Sequence, residues 1–501
     1  MFPGPFSWHT CYPALSDADW VAETPAAWQH TIPEKLVRCL WFDQRWRPTG
    51  LCTLEGQALL VHTPGRWNAQ AGPDFQQAHI EFVGEARRQG DVEIHCYASG
   101  WTAHRHHRDP RYNNVILHVF LWNDRQAPTA HRADGTVLPQ LALADYLPYP
   151  LAEYQAAISL AEYPYKTGYG HGQCYRSLQV LPLQEVQDFL SRAGDTRLQQ
   201  RAWRWASRAE EVGLTQVMYE AVLRSLGSAG YRQRFQDLAR LVPWQEVQPW
   251  LDLLPAAERG LASEALLLGL AGIGGEAFCG DDAADEVSQH YTAQLHYYWQ
   301  RLPLALRQRA WHNVNWRQPG GRPTNTPERR LAGMARLLAH LHGRSLFDTA
   351  LGLCQAMPGN PPLARVRALC RDLSMLLQVP GESYWSRRVI LGSPPGKAQR
   401  LIGASRALTV VVDAILPVLL LAAQQRADTA LRATVLALYA AAPSLPDNQL
   451  LRYMRHRALG NAPALLALLT GARQQQGLLQ LFMDCCGNDE GDCQGCAFPL
   501  A

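Results

Sequence analysis

The hydrophobic periodicity of the chain changes once, near residue 176. This change limits the folds that the chain can adopt. Before that point, apolar residues fall into short runs separated by turn residues, which is typical of strands. After it, apolar residues recur at helical spacing in successive segments, as in LQEVQDFLSRAGDTRLQQRAW and RLAGMARLLAHLH. The sequence therefore predicts an α/β domain followed by a large all-α domain.

The 501 residues are enough for two or three domains. A Gly- and Tyr-rich segment, EYPYKTGYGHGQCYRS, is typical of a linker between them. We therefore expect an α/β domain with an N-terminal extension over residues 1–150, a linker over 151–175, a helical domain over 176–480 and a cysteine-rich tail over 481–501.

The predicted elements of the first domain follow one another in a definite order. The segment TIPEKLVRCLWFDQRW has apolar residues near helical spacing, with Pro33 suited to a first helical turn. Strands are predicted over residues 58–68, 75–85, 91–96 and 113–122, and the last run is apolar enough for a strand buried on both faces. The order is a helix, three strands, a short connection and another strand.

The third of these strands, DVEIHC, alternates between apolar and ionisable residues. Because successive side chains of a strand point to opposite faces, Asp91, Glu93 and His95 share one face, and the apolar residues share the other. One interpretation is a solvated edge strand, since antiparallel sheets often have one wet face. The other is a functional face that meets a metal or a substrate, because unpaired carboxylates are rarely buried.

The element order, with Pro-Asp opening one strand and Glu-x-His inside the next, resembles the PD-(D/E)XK nuclease superfamily over roughly residues 30–125. The resemblance implies a restriction-endonuclease-like α/β fold in which Asp74 and Glu93 hold a divalent metal. His95 stands where the superfamily usually has Lys, and Glu34 on the preceding helix would assist. The implied function is a metal-dependent nuclease that hydrolyses phosphodiester bonds in DNA or RNA.

The chemistry of these side chains is compatible with that function. Carboxylate oxygens suit Mg²⁺ or Mn²⁺, and such a cation neutralises a phosphate and lowers the pKa of a bound water. His95 can act as a base or as a donor near neutrality, because an unperturbed imidazole has a pKa of about 6.5. As a metal ligand, His95 would favour Mn²⁺ over Mg²⁺.

A dense group of histidines follows the third strand, in GWTAHRHHRDPRY. We expect His104, His106 and His107 to bind the scissile phosphate or a second metal. The alternative is a solvated loop whose histidines cap and bridge backbone groups. His118, inside the apolar run VILHVF, is interpreted as a core histidine.

Longer motifs are similar to an uncharacterised bacterial family, domain-of-unknown-function family 2851. They span nearly the whole chain and are GRWNAQAGPDF, GDVEIH, HRHHRDPRYNNVILHV, RPTNTPERRLA and ESYW. This resemblance implies no settled activity.

One basic patch stands out in the helical part, VNWRQPGGRPTNTPERRLAGMARLL. Thr326 and Pro327 predict the cap and first residue of a helix there. Arg322, Arg329 and Arg330 could contact substrate phosphates beside that helix N-terminus. The alternative is an internal corner of the domain in which the arginines pair with carboxylates and Trp316 lies in the core.

The cysteines of DCCGNDEGDCQGCAF fall within a short segment and include a Cys-x-x-Cys spacing. Four thiolates, from Cys485, Cys486, Cys493 and Cys496, suit structural Zn²⁺ or an iron–sulfur cluster. The alternative is a reduced tail without metal.

The formal net charge is only +3, so any surface that binds nucleic acid must be local. The apolar segment ALTVVVDAILPVLLLAA contains an Asp and a Pro and predicts a buried helix rather than a membrane span. We expect a cytoplasmic protein with no membrane partner, since no secretory signal is recognised. A catalytically inactive nucleic-acid-binding protein and a structural or assembly protein built on the helical domain are the alternatives to a nuclease.

Overall fold

The structure is a computed structural model that describes most of the chain. The described residues are 12, 32–47, 50–68, 72–124, 130–158, 160, 163, 171–227, 231–273, 285–311, 316, 326–341, 344–358, 361–378, 383–460, 462–486, 493, 496 and 498.

The contacts divide the chain into two compact units, neither of which is continuous in sequence. Unit 1 contains residues 1–193, 447–468 and 477–501, and unit 2 contains residues 194–446 and 469–476. This division differs from the predicted boundary at residue 176, because segments near the C-terminus belong with the N-terminal part. One such contact is the hydrogen bond from the N–H of Gly172 to the carbonyl of Arg457, at 2.8 Å.

Strands form the first part of unit 1. They are β1 (Leu51–Cys52), β2 (Ala58–Thr63), β3 (Arg66–Trp67), β4 (Phe75–Phe82), β5 (Arg88–Tyr97), β6 (Val115–Trp122), β7 (Ala130–His131), β8 (Val137–Leu138) and β9 (Gln140–Ala142). The main sheet has the order β1-β2-β4-β5-β6-β9, with β3 paired to β4, and β7 pairs with β8 separately. The pairs β2–β4 and β4–β5 are antiparallel, whereas β5–β6 and β6–β9 are parallel.

β5 lies inside this sheet, between β4 and β6. The interpretation of residues 91–96 as a solvated edge strand is therefore wrong. Asp91, Glu93 and His95 are at most 8% exposed, so their face of the strand is buried as well as the apolar face. Three ionisable side chains in a buried position require partners, and these partners define the site described below.

The predicted helix at residues 33–46 is α1 (Glu34–Phe42), with Pro33 immediately before it. Leu36, Leu40 and Trp41 are fully buried, as their spacing predicted. The indole N–H of Trp41 donates to the carbonyl of Pro64 at 2.9 Å, which ties α1 to the turn between β2 and β3. This packing directs the polar residues of α1 toward the sheet.

Helices form most of the remaining described chain. They are α2 (Gly100–Ala103), α3 (Leu151–Ala157), α4 (Gln173–Leu178), α5 (Leu183–Trp203), α6 (Ala206–Leu226), α7 (Arg232–Leu241), α8 (Trp244–Asp252), α9 (Arg259–Leu270), α10 (Glu286–Arg301), α11 (Leu304–Arg307), α12 (Pro327–His340), α13 (Leu346–Gln355), α14 (Leu363–Leu376), α15 (Tyr384–Arg387), α16 (Ala404–Val410), α17 (Leu416–Gln425), α18 (Thr429–Ala441), α19 (Gln449–Met454), α20 (Pro463–Leu466) and α21 (Ala472–Leu481). Short 3₁₀ helices cover His106–Arg108, Pro110–Tyr112 and Ala144–Tyr146, and π-helical turns cover Val411–Ile415, Arg455–Leu459 and Phe482–Cys486. The predicted succession of an α/β part and a large helical part is confirmed.

The most apolar helical stretch, Ala404–Gln425, is long and apolar enough to cross a membrane, but 78% of its most apolar window is buried within the protein. Asp413, in its π-helical turn, pairs with Arg201 at 2.5 Å. Burial opposes the charge of Asp413, but Arg201 and Arg232 more than offset this effect and lower its pKa. Both observations agree with the predicted core helix.

Candidate metal centre

Two backbone-to-carboxylate hydrogen bonds join the start of β4 to the middle of β5. The N–H of Asp74 donates to Oε2 of Glu93 at 3.0 Å, and the N–H of Ile94 donates to Oδ2 of Asp74 at 3.1 Å. Both side chains are almost completely buried. The structure therefore brings the two predicted carboxylates together at one point of the sheet.

Arg38 of α1 connects Asp74 to the fourth predicted residue, Glu34. Its Nε lies 3.0 Å from Oδ1 of Asp74, and its Nη2 lies 2.5 Å from Oε1 of Glu34. Asp74 thus uses one oxygen for a guanidinium and the other for the N–H of Ile94. Asp74, which was predicted as a metal ligand, thus also links α1 to β5 through these two contacts.

Asp91 has a different role from Glu93 and His95, although all three share one face of β5. Its Oδ1 accepts a hydrogen bond from the N–H of Gln77 at 3.1 Å. Gln77 has a positive φ of 57° at an irregularity in the β4–β5 register. Asp91 therefore satisfies the backbone of a bulge, which is a structural role.

Three imidazoles meet beside Glu93. Ring nitrogens of His95, His104 and His106 all lie within 4.8 Å of one another, which is a spacing that can hold a metal ion. Nε2 of His95 is 3.2 Å from Nδ1 of His104. Oε1 of Glu93 is 3.2 Å from Nε2 of His106 and 3.8 Å from Nε2 of His95. These four residues form a mixed imidazole and carboxylate donor set.

The loop after β5 presents two of these histidines because of its local turns. Arg105 takes a left-handed conformation with φ of 61°, which separates α2 from the first 3₁₀ helix. Asp109 then caps the next 3₁₀ helix by accepting from the N–H of Arg111 at 3.0 Å. His104 is exposed and His106 is buried, whereas His107, predicted with them, is not one of the three imidazoles that meet. The loop therefore places three histidines that are close in sequence in different environments.

His118 on β6 is fully buried and lies behind His95. Its Nε2 is 2.9 Å from Nδ1 of His95, and its Nδ1 is 3.3 Å from the side-chain nitrogen of Gln140 on β9. The predicted core position is confirmed, but the contact with His95 was not foreseen. The sequence showed only that His118 is a histidine inside an apolar strand. That pattern does not reveal that His118 contacts His95.

The hydrogen-bond chain assigns the proton positions. The N–H of Ala130 donates to Oε1 of Gln140 at 3.3 Å, so the amide NH₂ of Gln140 faces His118. His118 is then protonated on Nε2 and donates to Nδ1 of His95. His95 consequently carries its proton on Nε2, directed at His104. Metal coordination through Nε2 of His95 requires this chain of hydrogen bonds to run in the opposite direction.

Burial and neighbouring imidazoles keep these rings neutral. Burial lowers the pKa of His118 to about 3, with a smaller contribution from His106. Burial, followed by His118, His106 and His104, holds the pKa of His95 well below its ordinary value. The neutral imidazole is the form that binds metal ions.

Aromatic groups and a glycine enclose the site. The ring of Tyr112 lies 3.9 Å from that of His106, and Trp101 contacts both His106 and His118. Burial and the carboxylates of Glu93 and Asp74 raise the pKa of Tyr112. A Cβ on Gly100 would lie 2.5 Å from the ring of His95, so only glycine leaves room for this imidazole. Tyr112, Trp101 and Gly100 were not predicted from the sequence.

The arginines of the predicted basic patch have structural partners in unit 2. Arg329 is buried, and its guanidinium donates to the carbonyls of Trp385 and Arg388, the latter at 3.0 Å. Arg330 donates to the carbonyl of Leu401 at 2.9 Å. The Thr326 cap of α12 is confirmed. Arg329 and Arg330 thus hold backbone within the unit, at carbonyls and not at the carboxylates that the alternative of an internal corner predicted. Arg322 lies outside the described residues.

The C-terminal cysteines Cys485, Cys486, Cys493 and Cys496 are free thiols in unit 1. Cys486 is buried and the other three are half-buried. Their neighbours are considered separately below.

Comparisons with known proteins add a family but no activity. No curated protein and no solved structure matches the chain. The family model described as "Protein of unknown function (DUF2851)" matches residues 34–447, a span that includes every residue of the histidine and carboxylate site. The chain therefore belongs to the DUF2851 family, as its motifs predicted.

Proposed function

We propose that this protein is a metal-dependent nuclease whose divalent cation is held by Glu93, His95, His104 and His106. The observation that carries the proposal is the meeting of three imidazole nitrogens within 4.8 Å of one another, beside a buried glutamate. Three or four such donors are a common protein contribution to a catalytic metal site, which leaves positions for water and substrate.

The donor set favours one kind of metal. Imidazole nitrogens suit Mn²⁺, Zn²⁺ and similar transition ions better than Mg²⁺, which prefers oxygen ligands. Of the two ions that we predicted, Mn²⁺ is therefore the better candidate. The proposed donor set leaves Asp74 out, because its carboxylate is held by Arg38 and by the N–H of Ile94.

The arrangement suits hydrolysis of a phosphodiester. A divalent cation at this position would neutralise charge on the phosphate and lower the pKa of a bound water. Glu93 keeps Oε2 on the N–H of Asp74, which fixes the direction of Oε1 toward the imidazoles. Exposed His104 gives the site an open side, and the exposed Arg105 and Arg108 of the same loop are suited to contact flanking phosphates.

The topology around the site also supports the proposal. A helix precedes the antiparallel strands β2, β4 and β5, and a short helical connection leads to the parallel strand β6. This is the order on which the resemblance to PD-(D/E)XK nucleases was based. Fold alone does not define a function, so the argument depends on the donor set.

The test measures metal binding and cleavage on the full-length protein. Mn²⁺ binding is followed by calorimetry, and single- and double-stranded DNA and RNA are incubated with Mn²⁺, Mg²⁺ or chelator. We expect about one Mn²⁺ per chain at this site and cleavage that the chelator abolishes. His104→Ala should weaken Mn²⁺ binding by at least ~10-fold, the lower end of losses seen for groups that only orient ligands, and should abolish cleavage.

His107→Ala is the matched control, because His107 lies in the same loop but outside the group of three imidazoles. It should keep both properties. Equal Mn²⁺ affinity in the two variants would contradict the metal site. Tight Mn²⁺ binding by the wild type without cleavage of any of the four nucleic acids would reject the nuclease.

A further inference from the structure

A cysteine far from the C-terminus lies among the C-terminal thiols of unit 1. Cys174, in α4, is buried. A Cβ placed on the neighbouring Gly172 would lie 3.0 Å from Sγ of Cys174 and 3.6 Å from Sγ of Cys493. Glycine therefore occupies the position that faces both sulphurs, although they are separated by more than three hundred residues of sequence.

Arg457 holds these two cysteines in place. Its carbonyl accepts from the N–H of Gly172 at 2.8 Å and from the thiol of Cys174 at 3.8 Å. Its guanidinium donates to Sγ of Cys493 at 2.7 Å, although Arg457 itself is only 3% exposed. A buried cation against a sulphur is suited to the negative charge of a thiolate.

Two backbone N–H groups donate to atoms of Cys493 and Cys496. The N–H of Cys496 donates to the carbonyl of Cys493 at 3.3 Å, and the N–H of Phe498 donates to Sγ of Cys496 at 3.4 Å. Backbone N–H groups that donate to sulphur stabilise a thiolate ligand in the same way as other outer partners of a metal site.

The thiols are close enough to affect one another's ionisation. Burial, together with Cys496 and Cys493, raises the pKa of Cys174 to about 12. Burial, followed by Cys174, Cys496 and Cys493, raises the pKa of Cys486 still more strongly. Burial, followed by Cys486, Asp484, Cys496 and Cys174, likewise raises the pKa of Cys485. Thiolates gathered in this way repel one another unless a cation binds them.

We propose that Cys174, Cys486, Cys493 and Cys496 are the four ligands of one metal centre, with Cys486 preferred to its neighbour Cys485 because Cys486, like Cys174, is buried. This set replaces Cys485, of the predicted set, by a residue on α4. Four thiolates leave no open position on a single metal, so the centre is structural. It fixes the segment that precedes α5 to the C-terminal segment within unit 1.

The spacing of the sulphurs favours an iron–sulfur cluster over zinc. Tetrahedral zinc would bring ligand sulphurs to roughly 3.8 Å from one another, because Zn–S bonds are about 2.3 Å. Among the described residues, the histidines are the group of three donors that lie within 4.8 Å of one another, so no three of the thiols are as close as a single zinc would bring them. Wider spacing suits a cluster, whose irons lie between the ligands.

The experiment measures iron, acid-labile sulfide and zinc in full-length protein purified without oxygen or chelator. We expect iron and sulfide in the wild type, and at least a ~10-fold loss in Cys174→Ser, the lower end of the losses seen at metal-site partners. Cys485→Ser should keep the metal, as should Cys354→Ser, a buried cysteine of unit 2. Wild-type metal content in Cys174→Ser would overturn the assignment of the fourth ligand, and zinc without iron would overturn the cluster.

Alkylation of the wild type provides a readout if Cys174→Ser does not fold. Cys174 should react with an alkylating reagent only after the metal has been removed, whereas Cys354 should remain protected throughout. A Cys174 that stays unreactive after complete loss of metal would contradict its role as a ligand. The Mn²⁺ site is untouched by these variants, so the outcome is independent of the proposed nuclease.

Discussion

A single side-chain amide, that of Gln140, determines which nitrogen of His95 carries a proton. Its oxygen accepts from the N–H of Ala130, and its NH₂ group therefore faces His118. Nδ1 of His118 therefore accepts from Gln140, and Nε2 of His118 donates to Nδ1 of His95 at 2.9 Å. Gln140, which decides the proton position, is thus separated from His95 by one side chain, that of His118.

Replacement of Gln140 by Glu should increase metal affinity. A carboxylate only accepts hydrogen bonds, so His118 must donate from Nδ1, and its Nε2 must accept from Nδ1 of His95. Nε2 of His95 is then free to bind a metal, as in carboxylate–histidine–metal triads. We expect ~10-fold tighter Mn²⁺ binding in Gln140→Glu, measured by calorimetry, on the scale known for such partners.

Gln140→Leu is the corresponding control, because it keeps approximate size and removes both hydrogen bonds. It should bind Mn²⁺ less tightly than Gln140→Glu, because it offers no acceptor to Nδ1 of His118. If both substitutions weaken binding equally, the direction of hydrogen bonding at His118 does not affect the metal, and the proton assignment would be wrong.

At the scale of elements, β5 shows what a sequence pattern can and cannot predict. Period-two alternation identified the strand and separated Asp91, Glu93 and His95 from the apolar residues, since this depends only on local geometry. The pattern could not show that β5 lies between β4 and β6, because strand order depends on contacts distant in sequence. For the same reason, the partners of the three residues, a bulge in β4, the loop histidines and His118 on β6, were not predictable.

The π-helical turn between α16 and α17 allows a prediction on pH dependence. Asp413 has a lowered pKa in the folded protein, so its stabilising effect is complete above the unfolded pKa of about 3.9 and is lost as pH falls through the folded value. At pH 7, Asp413→Asn should reduce the free energy of unfolding by about 3–5 kcal/mol, because it leaves Arg201 buried without its partner.

The difference between Asp413→Asn and the wild type should shrink as pH falls below about 4. Urea unfolding of both proteins at several pH values measures it. Glu246→Gln is the control, because its pair with Arg309 is exposed, and it should cost less than about 1 kcal/mol. A difference for Asp413→Asn that is independent of pH would show that the carboxylate charge does not stabilise the helix.

At the scale of the whole molecule, the two units divide the predicted chemistry between them. The histidine and carboxylate site and the cysteine group are both in unit 1, and the arginines Arg329 and Arg330 of the predicted basic patch are in unit 2. Helical periodicity predicted the helices of both units, but it did not predict to which unit each helix belongs. Amphipathic helices show which face is buried, and they do not show which other helix covers it.

Metal removal should therefore act on one unit. Chelation of the proposed thiolate centre should increase hydrogen exchange in α4 and in residues 455–459, because Arg457 and Gly172 are held together beside the cysteines. α9 and α12 of unit 2 should keep their protection. Hydrogen exchange with mass spectrometry before and after chelation makes the comparison. Equal loss of protection in both units would contradict a local centre.

The discontinuity of unit 1 has a consequence for biosynthesis. A ribosome delivers residues 194–446 after the strands of unit 1 but before its remaining segments, which begin at residue 447. Cys174 is therefore translated long before the other three proposed ligands, Cys486, Cys493 and Cys496. Until they have been translated, it must remain reduced. The proposed thiolate centre can be loaded only after Cys496 has been translated, so a product that ends before Cys486 has the residues of the histidine site but lacks three of the proposed thiolate ligands.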